Sequence, residues 1–136
     1  MKIFLKKIVP KFIFSFYYWS IARFGALKYG NPSKKIIIIG VTGTKGKSTT
    51  TNLISSILTK AGYSTGIIST IKFKIGNNEW ANETKQTMPG RFQLQKLLAE
   101  MVRQKCQYAI IETSSEGIKQ YRHLGIHYDV VVFTNL

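Results

Sequence analysis

The sequence lacks the residues that build disulfide frameworks and most transition-metal sites. Its 136 residues include one cysteine, Cys106, and two histidines, His123 and His127. A disulfide needs two cysteines, and a structural zinc site commonly needs four cysteine or histidine ligands at short spacing. Neither is predicted, a reducing cytoplasm fits this composition, and we assign these three residues no catalytic role. Charged residues make up 19% and hydrophobic residues 44%, so one folded domain is expected rather than a disordered chain.

Acidic residues are missing from more than half of the chain. Residues 1–78 contain 13 lysines and arginines and no carboxylate, because the first acidic residue is Glu79, and the net charge is +14. Such a field attracts phosphate groups of nucleotides, nucleic acids or anionic membranes, although a lysine-rich compositional habit is an alternative explanation. The aromatic residues cluster in one apolar segment and do not alternate with the basic ones, which argues against a nucleic-acid partner.

The first 30 residues have an apolar, aromatic centre between lysines. The run from Phe12 to Leu27 is shorter than a membrane span, which needs about 20 apolar residues, and it contains Arg23. We therefore expect an N-terminal amphipathic helix rather than a spanning one, and the segment is also a poor match to a secretory signal. One interpretation places this helix on an anionic membrane surface, with aromatic residues at the headgroups and lysines facing lipid: Tyr17, Tyr18, Trp19, Lys6, Lys7 and Lys11. The other packs it on its own domain or on a partner domain.

The rest of the chain alternates strand and helix signals. Ile36 to Ile39 form a β-branched run typical of a strand buried on both faces, and residues 48–61 have helical spacing, with Leu53, Ile54, Ile57, Leu58 and Ala61 on one face. Further strands are predicted at 65–70, 108–111 and 130–133, a hairpin at 71–80, a helix from about 90 to 105, and a short helix after residue 111. This order predicts an α/β fold with a doubly wound, mostly parallel sheet. We divide the chain into an N-terminal segment, 1–33, and a sheet domain, 34–136.

The strongest chemical signal is the glycine-rich run GVTGTKGKSTTT from Gly40 to Thr51, between the first strand and the first helix of the sheet domain. Glycines at 43 and 46 allow backbone N–H groups to surround phosphate oxygens, and the following helix adds its positive N-terminus. Lys47 can reach the β and γ phosphates, and the Ser48 hydroxyl can bind Mg²⁺. Val41 stands where the generic phosphate-loop pattern has glycine. The run predicts a nucleoside triphosphate site, so we expect the sheet domain, 34–136, to be an ATP-binding domain of the P-loop type.

A second signal is Glu112, where a buried strand ends in the run YAIIETSSEG. Ligands bind at the carboxyl ends of parallel strands, so this carboxylate is placed to hold Mg²⁺ beside the phosphate loop. Glu116 follows four residues later and is a further metal candidate. Alternatively, both are exposed residues favoured by a helix N-terminus.

These motifs together resemble the Mur ligase family of peptidoglycan synthesis, in particular its UDP-N-acetylmuramoyl-tripeptide synthetase type. GTKGKST at 43–49 is similar to the family's GTNGKTT loop, and TMPG at 87–90 to its T-T-P element. ETSSEGIKQYR at 112–122 resembles E-V-S-S-H-G-L-x-Q-x-R, and YDVVVFTNL at 128–136 resembles F-D-V-A-V-F-T-N-L. Four elements in the family's order cover everything except the N-terminal segment.

The resemblance implies specific roles. ATP would be bound by residues of the loop and by the end of the last strand: Gly43, Thr44, Lys45, Gly46, Lys47, Ser48, Thr49 and Asn135. Mg²⁺ would lie near Ser48 and Glu112, and Lys47 and Glu112 would act in catalysis. Contacts to a UDP-muramyl peptide would come from Gln86, Thr87, Met88, Ser114, Gln120 and Arg122. Arg122 suits a carboxylate or diphosphate because its guanidinium donates paired hydrogen bonds.

The implied function is an ATP-dependent ligase that adds an amino acid to a UDP-muramyl peptide through an acyl phosphate, present here as a fragment. The chain departs from the family at Glu116, where histidine is usual, at Met88, where threonine is usual, and at Lys45, where asparagine is usual. The family's uridine-binding domain, lysine carbamate and amine-binding domain are not found in these 136 residues, so we expect the chain alone to make no amide bond. The alternative is a membrane-tethered nucleotide-binding module without ligase activity. In either case we expect a cytoplasmic protein, peripheral at the inner membrane face if residues 1–30 bind lipid.

Overall fold

The computed structural model describes residues 11–135, which contain four α-helices, one 3-10 turn and one six-stranded sheet. In chain order the elements are α1 (Lys11–Lys28), a 3-10 turn (Pro32–Lys34), β1 (Ile37–Thr42), α2 (Lys47–Lys60), β2 (Thr65–Ile68), β3 (Lys72–Ile75), β4 (Asn78–Ala81), α3 (Arg91–Arg103), β5 (Tyr108–Glu112), α4 (Ser115–Lys119) and β6 (Val130–Phe133). Each strand and helix predicted from the sequence is present, with bounds shifted by a few residues.

The sheet is mostly parallel, as predicted. Its strand order is β4-β3-β2-β5-β1-β6, with β2, β5, β1 and β6 parallel and the β3–β4 hairpin antiparallel at one edge. Strand β1 lies between β5 and β6 and most of its residues are buried, which explains its continuous β-branched run. The register pairs Val41 with Glu112 and Thr42 with Phe133, so the ends of three strands meet at one edge of the sheet.

Helices cover both faces of the sheet. On one face α3 packs through Leu94, Leu98 and Met101 onto Ile38, Ile68, Phe73, Ala109 and Ile111. On the other, α2 covers a smaller cluster formed by Ile39, Val41 and Ile110. Cys106 is buried between α3 and β5, as expected for a small apolar residue. This arrangement is the doubly wound fold that the order of elements predicts.

The buried face of α2 differs from the predicted one. Leu53 and Ile57 are 58% and 66% exposed, whereas Thr51 and Ser55 are buried against the sheet and Ile54 and Leu58 are partly buried. The Ser55 hydroxyl lies 2.9 Å from Oγ1 of Thr65 on β2, so a small polar side chain lets this helix approach the strand closely. The helical spacing of apolar residues predicted the helix, but the contact between the Ser55 and Thr65 hydroxyls accompanies a different rotation of α2 about its own axis.

The helix α1 packs on α3 through one face. Ala22 and Ala26 are buried, Gly25 lies against Phe92, and the rings of Phe24 and Phe92 are 6.5 Å apart. The packed-helix interpretation of the N-terminal segment is therefore correct for this face. Tyr18 also points inward, onto Tyr121, which corrects its expected place at the lipid headgroups. Lys6 and Lys7 lie outside the described residues. No helix within 11–135 is long and apolar enough to cross a membrane.

Candidate functional site

The phosphate loop joins β1 to α2 at the edge where the parallel strands end. Gly43 and Gly46 have φ angles of 138° and 78°, in the region that favours glycine, so the loop needs glycine at both positions. Gly46 precedes the first turn of α2 and has no side chain to cap it. An anion can therefore approach the N–H groups and the positive end of this helix.

The loop is held in place by the end of β6. Asn135 Oδ1 accepts hydrogen bonds from the backbone N–H groups of Thr44 and Lys45, at 3.0 and 3.1 Å, and from the Thr44 hydroxyl at 2.6 Å. Thr134 donates from Oγ1 to the Lys45 carbonyl at 2.7 Å. A side chain at Gly43 would collide with Thr134, so close approach is a second reason for glycine there. Of the predicted ATP residues, Thr44 and Lys45 are thus in direct contact with Asn135.

Lys47 lies over this loop. Its ammonium group donates to the carbonyl oxygens of Gly43 and Thr44, at 2.9 and 3.4 Å. The side chain reaches back across the turn, as is needed for a lysine that contacts phosphates held by the loop. Lys45, by contrast, meets Thr134 and Asn135 through its backbone atoms.

Glu112 is the buried acidic residue of the site, with 2% of its surface exposed. Its Oε2 accepts from the Ser48 hydroxyl at 3.0 Å and from the backbone N–H of Thr70 at 2.9 Å, and its Oε1 accepts from the Thr70 hydroxyl at 3.0 Å. The predicted metal residues Ser48 and Glu112 are therefore adjacent. Thr70 was missed by the sequence analysis, although its position just after β2 places it at the same sheet edge.

The donor set at this point fits Mg²⁺ bound together with a nucleotide. Within residues 11–135 no group of three or more histidine, cysteine, aspartate or glutamate side chains could hold a metal by itself. Mg²⁺ is usually held by one or two protein oxygens together with substrate phosphates and water, rather than by an all-protein cage. One carboxylate and one hydroxyl beside a phosphate loop match that arrangement.

A cavity of about 310 Å³ is lined by residues of the segments 85–88 and 114–122. All six predicted substrate residues line it together with Glu116, Lys85 and Gly117: Gln86, Thr87, Met88, Ser114, Gln120 and Arg122. Arg122 is held at its wall by Gln120 Oε1 at 3.0 Å, by Gln86 Oε1 at 2.6 Å and by the Met88 carbonyl. The structure thus brings together residues that are up to 36 positions apart in the sequence.

Three of these residues have more specific positions than the sequence indicates. Glu116 accepts from Gln120 at 2.6 Å and belongs to this cavity, whereas Glu112 lies against Ser48 and Thr70, so a metal role for Glu116 stays a prediction. The Met88 side chain is buried and packs against Gly117. Ser114 caps α4 by accepting from the Gly117 N–H at 3.0 Å.

Thr70 joins the two parts of the site. Its hydroxyl lies 3.0 Å from Glu112 on the phosphate-loop side and 2.9 Å from the Thr87 hydroxyl on the cavity side. A group bound in the cavity would therefore be close to the edge where the phosphate loop opens. Chemically, such an arrangement suits transfer of a phosphoryl group between two ligands bound side by side.

Comparison with known proteins gives consistent matches. Residues 41–136 match the family described as the Mur ligase middle domain. The chain is 40% identical over 119 residues to the UDP-N-acetylmuramyl-tripeptide synthetase of Roseiflexus sp. strain RS-1, covering 86% of this chain and 23% of that protein. It is 45% identical over 108 residues to the UDP-N-acetylmuramoyl-L-alanyl-D-glutamate–2,6-diaminopimelate ligase of Clostridium botulinum, covering 79% and 22%.

A solved structure of a UDP-N-acetylmuramoyl-L-alanyl-D-glutamate–2,6-diaminopimelate ligase superposes with a TM-score of 0.67 and 31% sequence identity. The superposition covers 74% of this chain and 20% of that one. The chain spans less than a quarter of the length of the curated relatives described above. Because the family match covers most of the chain and agrees with the fold and the phosphate loop, the chain belongs to the Mur ligase family.

Proposed function

We propose that the chain provides the ATP-binding part of a ligase that adds an amino acid to a UDP-muramyl peptide. The observation that carries this proposal is the Thr70 bridge, which links the Glu112 side of the phosphate loop to the cavity at Thr87. The names of the relatives supply the substrate class, since both describe enzymes acting on UDP-N-acetylmuramyl peptides. ATP would phosphorylate a substrate carboxylate, and an amine would then displace phosphate to form the amide bond.

In this proposal the residues of the chain position and neutralise the phosphates. Backbone N–H groups of residues 43–49 would hold ATP, and Lys47 would contact the β and γ phosphates. Ser48 and Glu112 would hold Mg²⁺, which supplies positive charge to the phosphate oxygens when bound. Arg122 would orient an anionic group of the muramyl peptide by paired hydrogen bonds. Catalysis of this kind depends on positioning and charge rather than on a protein nucleophile.

Arg122→Ala tests the substrate side of this site. We expect binding of UDP-N-acetylmuramoyl-L-alanyl-D-glutamate to weaken by roughly 10- to 100-fold, the cost of about 1.5–3 kcal/mol for hydrogen bonds to charged groups. Affinity for ATP should stay unchanged, because the hydrogen bonds that Arg122 donates go to three residues of the cavity, Gln120, Gln86 and Met88. Titration calorimetry measures both. Arg103→Ala is the matched control, since Arg103 is an exposed arginine paired with Glu100 on α3.

Equal muramyl-peptide affinity in Arg122→Ala and the parent chain would contradict this assignment. Loss of binding in both Arg122→Ala and Arg103→Ala would instead indicate attraction by the net positive charge. Measurements at two salt concentrations distinguish the cases, because attraction between exposed charges is screened by salt.

We also propose that α1 attaches the protein to the cytoplasmic face of an anionic membrane. Its outer face presents large apolar side chains that are each more than 40% exposed: Phe12, Ile13, Phe16, Tyr17, Trp19 and Leu27. Arg23 and Lys28 are exposed on the same helix, which has no acidic residue between Lys11 and Lys28. An aromatic and basic surface of this kind matches the interface of an anionic bilayer.

Replacing Phe12, Phe16 and Trp19 together by serine should abolish co-sedimentation with phosphatidylglycerol vesicles, because these side chains supply the apolar contact. The matched control replaces Leu53 and Ile57, which are equally exposed on α2, and should leave co-sedimentation unchanged. Binding by the parent chain should fall with added salt and should be absent on phosphatidylcholine. Retention of vesicle binding by the triple variant would refute attachment through α1.

A further inference from the structure

The turn that carries the cavity's arginine has a strained backbone. Tyr121 has a φ of 56°, in the left-handed region that residues other than glycine seldom adopt. Its two neighbours, Gln120 and Arg122, both line the cavity. The direction in which Arg122 enters the cavity therefore depends on what keeps Tyr121 in this conformation.

The N-terminal helix α1 supplies part of that support. The Ser15 hydroxyl lies 2.9 Å from the hydroxyl of Tyr121, 106 residues away in the sequence. The rings of Tyr18 and Tyr121 stack with centroids 5.8 Å apart and planes 24° apart. Both contacts come from the inner face of α1, so this helix grips the Tyr121 side chain at its ring and at its hydroxyl.

Arg91, the first residue of α3, completes the contact. Its guanidinium lies 4.3 Å from the centre of the Tyr18 ring, and its Nη2 donates to the carbonyl of Gln120. Burial lowers the pKa of Arg91, and the nearby positive charge of Arg122 lowers it further. The ring face of Tyr18 offers a compensating cation–π attraction for this partly desolvated guanidinium.

We propose that α1 is a positioning element of the muramyl-peptide cavity, with Ser15, Tyr18 and Arg91 acting through Tyr121 to hold Arg122. The inference rests on the proposed function for the identity of the ligand, but its structural part does not. It gives the inner face of α1 a role distinct from that of the exposed outer face. The three supporting residues are positioning residues, since their contacts are with the 120–121 turn rather than with the cavity.

The main test is Tyr18→Leu in the full chain, with Tyr18→Phe as the conservative variant. Tyr18→Leu should weaken binding of UDP-N-acetylmuramoyl-L-alanyl-D-glutamate by roughly tenfold, the size of one coupling in a packed network, and should leave ATP affinity unchanged. Tyr18→Phe keeps the aromatic ring and should bind the same ligand with the affinity of the parent chain. Tyr63→Leu is the matched control, because Tyr63 is a tyrosine of similar exposure, 41%, whose ring packs against Tyr108 of β5 rather than against Tyr18 or Tyr121.

A second readout follows the turn without any ligand. Amide hydrogen exchange at residues 120–122 should become faster in Tyr18→Leu and stay at the parent rate in Tyr18→Phe and Tyr63→Leu. Ser15→Ala and Tyr121→Phe each remove the same hydrogen bond, so the double variant should lose no more affinity than either single one. This pair decides the question if Tyr18→Leu does not fold.

The inference would be overturned if exchange at residues 120–122 stayed at the parent rate in Tyr18→Leu. If Tyr18→Leu does not fold, the same result in the Ser15 and Tyr121 variants would overturn it. Equal muramyl-peptide affinity in those same variants and the parent would also overturn it. If the parent chain itself does not bind UDP-N-acetylmuramoyl-L-alanyl-D-glutamate, the proposed substrate is wrong. The exchange rates then decide the positioning role alone, so the two failures are distinguishable.

Discussion

Lys47→Ala is expected to reduce the affinity of the chain for ATP by roughly 100-fold, since charge-assisted hydrogen bonds contribute about 1.5–3 kcal/mol each and this ammonium would contact two phosphates in the proposed site. The structure places Lys47 over the loop, on the carbonyls of Gly43 and Thr44. A nucleotide phosphate entering the loop would meet that ammonium directly. Titration calorimetry with Mg-ATP measures the change.

Two control variants distinguish ATP binding at this site from nonspecific electrostatic attraction of ATP to the positively charged chain. Lys45→Ala should weaken ATP binding far less, because Lys45 makes its loop contacts through the backbone. Lys60→Ala removes a charge at the far end of α2 and should have no effect at moderate salt. With a net charge of +14 the chain attracts any polyphosphate, so all three variants must be compared at the same salt concentration. Equal ATP affinity in Lys47→Ala and the parent would refute the assignment of the loop.

The phosphate loop could be predicted from the sequence because its chemistry is local. Two glycines, a lysine and a serine lie within six residues, and their roles depend on the turn that those same residues form. The sheet followed from the order of strand and helix signals, since parallel strands with helical crossovers have few allowed arrangements. The position of Glu112 beside the phosphate loop was predicted because this residue ends a buried strand, and its pairing with Val41 of β1 brings it to the loop.

Other features depend on contacts between distant segments and could not be predicted in this way. The bridging role of Thr70 exists only because β2 lies beside β5 in the sheet. The rotation of α2 depends on the hydroxyl pair of Ser55 and Thr65 rather than on the spacing of its leucines and isoleucines. Tyr18 and Tyr17 are adjacent aromatic residues of similar character, and only the packing of α1 shows that Tyr18 faces inward. The division of the chain at residue 33 stays a prediction.

Glu112→Gln is expected to remove the dependence of ATP binding on Mg²⁺ while leaving the fold intact. Glutamine has nearly the same shape, and its amide oxygen can still accept from Ser48 and Thr70 at the Oε2 position. Its NH₂ group would face the Thr70 hydroxyl, which can rotate because it also lies 2.9 Å from Thr87. Thermal unfolding should therefore change little, whereas the negative charge that holds the cation is lost.

The measurement is the ratio of ATP dissociation constants with and without MgCl₂. We expect the parent chain to bind ATP roughly tenfold more tightly with Mg²⁺, a gain of about 1.4 kcal/mol, and Glu112→Gln to show a ratio near one. Ser48→Ala removes the second oxygen ligand and should reduce the ratio as well. A parent-like ratio in Glu112→Gln would show that the cation is held elsewhere.

Glu116→Gln is the matched control, and its result decides which of two roles this residue has. Glu116 accepts a hydrogen bond from Gln120 and lines the muramyl-peptide cavity. The geometry therefore predicts that Glu116→Gln leaves the ratio of ATP dissociation constants unchanged and weakens binding of UDP-N-acetylmuramoyl-L-alanyl-D-glutamate. A metal role, which the acidic residue in place of the family's usual histidine suggests, predicts the reverse pattern. Glu112 and Glu116 are four positions apart and have different hydrogen-bond partners. Comparing Glu112→Gln with Glu116→Gln therefore shows which carboxylate contributes to Mg²⁺-dependent ATP binding and which contributes to substrate binding in the cavity.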